Sequence, residues 1–249
     1  MRWRGCCSPA AWKRSRPGAK PGIDPIIDPT DRSDPTDPSD KRTGMTKAKS
    51  DRPVFAIILA AGESRRFAAR NKLFLPFGDK TLLEVTVGNI LNSRVDGTVV
   101  VLGHQADRAR ALLEQYSCST VLNPDYRKGM GSSVVKGIDF WLERIGIVPG
   151  AGFIFVLGDQ PFIPEGVINS LLRSYRATGA DIVVPVYNGR RGNPAILNRR
   201  YADEIREAAG RWGARDVILR HPDKILTVSV EDEGVILDID TPEDYKTKY

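Results

Sequence analysis

The stretch Val54-Phe55-Ala56-Ile57-Ile58-Leu59-Ala60-Ala61-Gly62-Glu63-Ser64-Arg65-Arg66 decides the fold. Its first six residues are apolar and rich in β-formers, without the polar alternation of a half-exposed strand. A strand of that kind is buried on both faces, as in a parallel sheet covered by helices. The small residues at 60–62 then let the backbone approach a ligand closely and present N–H groups to an anion. Arg65, Arg66, Arg70 and Lys72 follow within eight positions, a charge density suited to a triphosphate. The same features also fit a tight turn followed by a solvated basic loop.

Downstream, apolar β-rich runs alternate with helical patterns. Strands are expected at Gly97–Leu102, Ser119–Leu122, Gly152–Leu157, Asp181–Pro185, Ile225–Val230 and Val235–Leu237. Helices are expected at Leu82–Ser93, Ala106–Gln115, Ser132–Ile145, Pro164–Thr178 and Pro242–Lys248. Tyr187 to Leu197, with Asn188-Gly189 near its start, reads as a hairpin excursion. The expected fold is α/β, a Rossmann-like, mostly parallel sheet with helices on both faces, in one domain over 53–249. In such sheets ligands sit beyond the carboxyl ends of the strands, so the loops there are the place to look for chemistry.

Residues 1–52 read differently. Asp-Pro recurs at 24–25, 28–29, 34–35 and 37–38, in a segment too poor in apolar residues to offset the entropy of ordering it. It reads as a disordered tail, either an interaction or targeting segment or sequence upstream of a true start at Met45. The tail carries 12 basic and 7 acidic residues of a chain whose net charge is +6, so the domain itself is nearly neutral. That disfavours nucleic acid as a partner. The chain has 3 cysteines, none in a Cys-x-x-Cys pair, and 2 histidines, which leaves little material for a zinc site or a Cys/His nucleophile. With no apolar run near membrane-spanning length and no secretory signal, the expectation is a cytoplasmic protein without membrane contact. A dinucleotide site is disfavoured because Gly-x-Gly-x-x-Gly is missing, and a P-loop because Gly-Lys-Ser/Thr is.

Further candidates come from position. Asp159 follows an apolar strand and is placed to offer a hard oxygen to Mg²⁺; the alternative is a turn or cap before Pro161. Asp238 and Asp240 alternate on an extended segment, so one is expected to face the site. Thr241 with Glu243 and Asp244 reads as a helix start. Asn123 ends a strand before Gly131-Ser132-Ser133; its amide could read the mixed edge of a base, or form a turn with Ser132 as an N-cap. Arg190 and Arg191 suit a phosphorylated acceptor, and equally a solvated hairpin.

Several of these motifs together resemble the molybdenum cofactor nucleotidyltransferase family, and most closely its cytidylyltransferase branch. They are Leu59-Ala60-Ala61-Gly62-x-Ser64-x-Arg66 with Lys72, Leu75-Pro76-Phe77-Gly78, Asn123-Pro124-Asp125-Tyr126-x-x-Gly129-Met130-Gly131-Ser132-Ser133, Gly158-Asp159-Gln160-Pro161, Gly189-Arg190-Arg191-Gly192-x-Pro194 and Asp238-Ile239-Asp240-Thr241-Pro242-Glu243-Asp244-Tyr245. The resemblance implies a fold shared with nucleotide-sugar synthesis enzymes and CMP transfer from CTP to a phosphorylated pterin acceptor. It assigns Lys72, Arg66 and Asp159 to catalysis. Leu59, Ala60, Ala61, Gly62, Ser64, Lys72, Asn123, Gly131 and Ser132 would bind nucleotide, and Arg190, Arg191, Asn193 and Arg215 the acceptor. Asp159 and Asp240 would hold Mg²⁺, or Mn²⁺, with Asp238 the alternative to Asp240. A molybdenum hydroxylase client is also implied. Three departures from the pattern are Phe67-Ala68 where the family has Gly after the hydrophobe, Asn193 in place of His, and Arg211 in place of Asp. Rival readings are a guanylyltransferase for the same cofactor, a sugar- or alcohol-phosphate nucleotidyltransferase, and a non-catalytic molybdoenzyme maturation partner.

Overall fold

The computed structural model describes residues 52–67, 71–208 and 213–248. The expected tail up to residue 51, Ala68, Arg70 and Arg211 lie outside them.

In chain order the elements are β1 (Val54–Ala60), β2 (Pro76–Phe77), β3 (Lys80–Thr81), α1 (Leu82–Asn92), β4 (Gly97–Leu102), α2 (Ala106–Leu113), β5 (Ser119–Leu122), α3 (Met130–Ile145), β6 (Gly152–Leu157), α4 (Glu165–Thr178), β7 (Ile182–Tyr187), β8 (Arg190–Arg191), β9 (Ala195–Asn198), α5 (Ala202–Glu207), α6 (Ala214–Arg220), β10 (Ile225–Ser229) and α7 (Pro242–Lys248). The main sheet runs β10-β7-β9-β6-β1-β4-β5, with β8 paired to β7. β1, β4, β5 and β6 are mutually parallel, as are β7 and β10, whereas β9 runs antiparallel to both β6 and β7. β1 is therefore flanked on both sides, as its unbroken apolar run requires. Val54, Ala56, Ile58 and Ala60 enter one core with residues of α1, α2 and α4, while Phe55 and Ile57 enter the other with residues of α3, α5 and α6. Each fully buried isoleucine contributes about 1.5–3 kcal/mol. Close helix–sheet contact depends on Gly137 of α3, where an added Cβ would lie 2.3 Å from Ile57 Cγ2.

Helix ends are fixed locally. Thr81 and Glu84 form a capping box on α1, and Asp244 Oδ2 accepts from Thr241 N–H at 2.9 Å while Thr241 Oγ1 accepts from Asp244 N–H at 3.1 Å, the helix start expected there. In the hairpin between β7 and β8, Asn188 and Gly189 both adopt positive φ, 47° and 77°, as a two-residue connection demands.

Two expectations are corrected, and two helices are added. The segment expected as a strand at Val235–Leu237 is a 3-10 turn over Glu233–Ile236, because Asp232 turns the chain by accepting from Gly234 N–H at 2.8 Å. The excursion after Tyr187 does not stay outside the sheet: β9 inserts between β6 and β7, all four of its residues buried. Four residues flanked by Asn193-Pro194 are too short to display a period. α5 and α6 were not expected, being only 6 and 7 residues long.

Candidate active site

Leu59 of β1 is the register partner of Leu157 of β6. That pairing brings the loop after Ala60 and the segment Gly158-Asp159-Gln160 to one edge of the sheet, at the carboxyl ends of both strands, where Gly158 N–H donates to Leu59 O at 2.9 Å. A cavity of about 720 Å³ opens there. Its floor and loop wall are formed by Leu59, Ala60, Ala61, Gly62, Glu63, Ser64, Arg65 and Arg66, with Lys72 beside them. Tyr126, Arg127, Gly129, Met130 and Ser133 form a second wall, and Asp159, Asp238, Asp240 and Arg215 complete the site.

Opposite charges are interleaved within it. Lys72 Nζ forms an ion pair with Asp159, donates to Ile239 O at 2.9 Å and lies 3.4 Å from Asp240 Oδ1. Arg66 Nη1 reaches Asp240 Oδ2 at 3.2 Å. Lys72 and Asp159 side chains are each only 16% exposed, so their attraction is screened less than that of the 53% exposed Asp240. Gln160, itself buried, donates to Asp238 Oδ1 at 2.6 Å. The Asp238 carboxyl is held above its ordinary value by enclosure within the cavity wall, opposed by the Gln160 bond and reinforced by the charges of Asp159 and Asp240. At the mouth, Glu63 pairs with Arg65 at 2.8 Å and Arg127 at 3.0 Å, tying the loop after β1 to the turn before α3. Hydrogen bonds from Arg65 and then Arg127 hold the Glu63 carboxyl below its ordinary value.

Both Asp238 and Asp240 line the cavity, which corrects the expectation that only one would. Residues 237–240 do not form a strand, so pleat alternation does not govern them. Asn123 is 3% exposed, outside the lining, and its amide is used internally: Nδ2 donates to Ser132 Oγ at 2.9 Å and Ser133 Oγ at 3.0 Å, while Oδ1 accepts from Asp125 N–H at 3.0 Å. This is the turn alternative, and it shapes the wall from behind. Gly131 and Ser132 also lie off the cavity; the N-cap of α3 is Gly129, at φ 111°, rather than Ser132. Of the expected acceptor residues, Arg215 lines the cavity and Arg190, Arg191 and Asn193 do not. The two arginines are exposed on β8, and Asn193 N–H donates to Val235 O at 2.8 Å. Sequence reasoning missed Glu63, Tyr126, Arg127, Met130 and Ser133. An acid set among basic residues was the signal for Glu63.

The donor set fits a hard divalent cation. Asp159 and Asp240 share one cation, Lys72, and offer only oxygen. Among the described residues no three His, Cys, Asp or Glu side chains form a ready metal cage. The protein would thus supply a minority of the ligands, as is usual for Mg²⁺ on phosphates.

No helix among the described residues is long and apolar enough to cross a membrane. Residues 56–225 match the family model described as MobA-like NTP transferase domain. Bifunctional protein GlmU of Rubrobacter xylanophilus is 30% identical over 167 residues, 67% of this chain, but the chain spans only 33% of that relative's length. Nicotine blue oxidoreductase of Paenarthrobacter nicotinovorans is 30% identical over 76% of this chain and 93% of its own, and molybdenum cofactor cytidylyltransferase of Escherichia coli K12 is 27% identical over 78% and 94%. Among solved structures, the Mycobacterium sp. strain JC1 homologue of Rv0371c aligns with a TM-score of 0.66 at 30% identity, over 80% of this chain and 96% of that one. A nucleotidyl transferase from Methanothermobacter aligns with a TM-score of 0.65 at 20% identity, over 79% and 95%, a likeness of fold. With its strand order, its basic loop and its paired carboxylates at the sheet edge, the chain belongs to the MobA-like NTP transferase family.

Proposed function

We propose that the protein transfers CMP from CTP to a phosphorylated small-molecule acceptor, the molybdopterin form of the molybdenum cofactor, with release of pyrophosphate. The observation that carries this reading is Lys72 bridging Asp159 and Asp240 at the edge where the loop after β1 faces them. A cation-rich loop receives the triphosphate, and the carboxylates stand where a counter-ion for it is needed. The likeness to the Escherichia coli cytidylyltransferase supports CTP and the pterin acceptor.

An oxygen of the acceptor phosphate attacks the α-phosphorus in line; the new P–O bond forms as the bond to the bridging oxygen of pyrophosphate breaks. The acceptor phosphate is already ionised at neutral pH, so no general base is asked of the protein. Arg66, Lys72 and the N–H groups of residues 61–64 hold the phosphates and the charge that develops on the pentavalent centre. Arg215, in the cavity lining, would meet the acceptor. Mg²⁺, or Mn²⁺ in its stead, would be held by Asp159 and Asp240 and would neutralise the α- and leaving-phosphate charge.

The test is thermal-shift screening of the four NTPs with Mg²⁺ and with Mn²⁺, since a ligand raises the melting point by mass action. Pyrophosphate release with candidate acceptors follows. CTP should give the largest shift and turnover should require a phosphorylated pterin. Stabilisation by GTP alone would point to the guanylyl alternative, and no response to any NTP would sink the transferase reading.

A further inference from the structure

Ser64 sits at φ 50°, a left-handed conformation that residues with a Cβ seldom adopt. Such geometry persists only where neighbours fix it from several sides. Here the Ser64 hydroxyl donates to Asn71 Oδ1 at 3.0 Å and accepts from Lys72 N–H at 3.1 Å, while Ser64 O accepts from Phe67 N–H at 2.8 Å. Asn71 Oδ1 accepts a second bond, from Leu73 N–H at 3.1 Å, and so caps the 3-10 turn Lys72–Phe74 that carries the cavity lysine.

Two consequences follow. A hydroxyl has one O–H to give, and that of Ser64 is given to Asn71, so Ser64 meets a phosphate through its backbone and not through its side chain. Asn71 is 4% exposed and does not line the cavity. Among the described residues its buried Nδ2 has no hydrogen-bond partner, and the carbonyl oxygen makes the contacts that connect this side chain to Ser64 and the turn. A buried amide that leaves one end unsatisfied and spends the other on both Ser64 and the lysine-bearing turn is poorly explained as packing.

We infer that Asn71 is a positioning residue of the nucleotide site: it clasps Ser64 to the turn of Lys72 and so sets the triphosphate loop, without touching the ligand. The inference rests on the nucleotide reading above. Ser64→Ala and Asn71→Ala break the same clasp from opposite ends, so they should be non-additive.

The experiment measures CTP affinity by calorimetry with Mg²⁺ present, KM and kcat for CTP, and Tm, on the full chain carrying Ser64→Ala, Asn71→Ala, both, or Asn71→Asp. Each alanine variant should weaken CTP binding at least tenfold and raise KM more than it lowers kcat. The double variant should bind no more weakly than the worse single one. Asn71→Asp keeps the accepting oxygen and should recover most of the affinity lost in Asn71→Ala. Alanine variants that lower Tm but bind CTP like the wild type would make Asn71 a cap of structural value only and overturn the inference; so would strictly additive losses. Should Asn71→Ala not fold, Ser64→Ala reports on the same clasp. Wild-type protein that binds no CTP would instead remove the nucleotide reading and this inference with it, a result read before any variant is compared.

Discussion

The ammonium of Lys72 stands between the carboxylates of Asp159 and Asp240, ion-paired with the first and 3.4 Å from Oδ1 of the second. The lysine therefore neutralises the carboxylates that a divalent cation is proposed to use. Under the proposed function, metal and lysine would compete for them, and an arriving triphosphate would resolve the competition by giving the ammonium another anion to contact.

Lys72→Met should act in opposite directions on the two ligands. Loss of one charge-assisted phosphate contact should weaken CTP binding roughly 10- to 150-fold, the equivalent of about 1.5–3 kcal/mol. Mn²⁺ binding to the nucleotide-free protein should tighten severalfold, because Asp159 loses its ammonium partner and Asp240 loses one of its two cationic neighbours. Titrating Mn²⁺ by electron paramagnetic resonance, with and without CTP, checks both. Weaker Mn²⁺ binding in the variant would show that Lys72 organises the carboxylates instead of competing for them.

Donor choice is tested at Ala61. It is 5% exposed, lines the cavity and packs against Gly103 so closely that an added Cβ on Gly103 would lie 2.8 Å from its own Cβ. The family resemblance implies glycine at this position in the guanylyl branch. Wild-type protein should turn over CTP in preference to GTP, and Ala61→Gly should narrow that preference by widening the wall. Turnover of the two nucleotides at equal concentration decides, and a wild-type preference for GTP would refute the assignment.

The parallel core was legible because its strands are continuous apolar runs; β4, β5 and β6 fall where the sequence pattern puts them. β9 was not, because its four residues carry no period and its place in the sheet depends on partners remote in sequence. Arg66, Lys72 and Asp159 all line the cavity; Asp159 is legible from its place after an apolar strand, whereas Arg66 and Lys72 are singled out from the basic loop by the family resemblance. The hairpin arginines 190 and 191 lie outside the cavity lining, because pairing with β7 sets which way the hairpin leans and charge alone does not. Asn71 was passed over since its contact with Ser64 spans 7 residues and has no periodic trace.

Asp238 gives a pH signature. Enclosure in the cavity wall, with the charges of Asp159 and Asp240 nearby, raises its folded-state pKa against the Gln160 bond. A raised carboxyl contributes most to stability below its unfolded value of about 3.9 and loses that contribution as pH rises through the folded value. Asp238→Asn imitates the protonated form and retains an oxygen for Gln160. Measured in chelator, its Tm should exceed that of wild type at pH 7–8, with the gap closing below about pH 4. A gap of equal size at every pH, or a less stable variant at pH 8, would contradict this account.

The metal assignment is tested most directly at Asp159, at the carboxyl end of β6 and ion-paired to Lys72. Asp159→Asn preserves size and much of the hydrogen bonding while removing the negative charge a hard cation requires. Were the residue a turn or cap, asparagine would replace it with little effect, since the two cap and turn with similar ease. As a metal ligand, its loss should lower turnover by roughly 10²-fold or more, because the ion's stabilisation of the transition state amounts to several kcal/mol. Tm should stay near that of wild type, which separates lost chemistry from lost fold. Higher Mg²⁺, or Mn²⁺ in its place, should recover part of the rate in the variant. Asp240→Asn should be milder: its side chain is 53% exposed, and asparagine still offers one oxygen to a cation. Near-normal rates for Asp159→Asn at ordinary Mg²⁺ would return Asp159 to a structural role, and full wild-type activity in excess chelator would eliminate the metal step whatever the variants do.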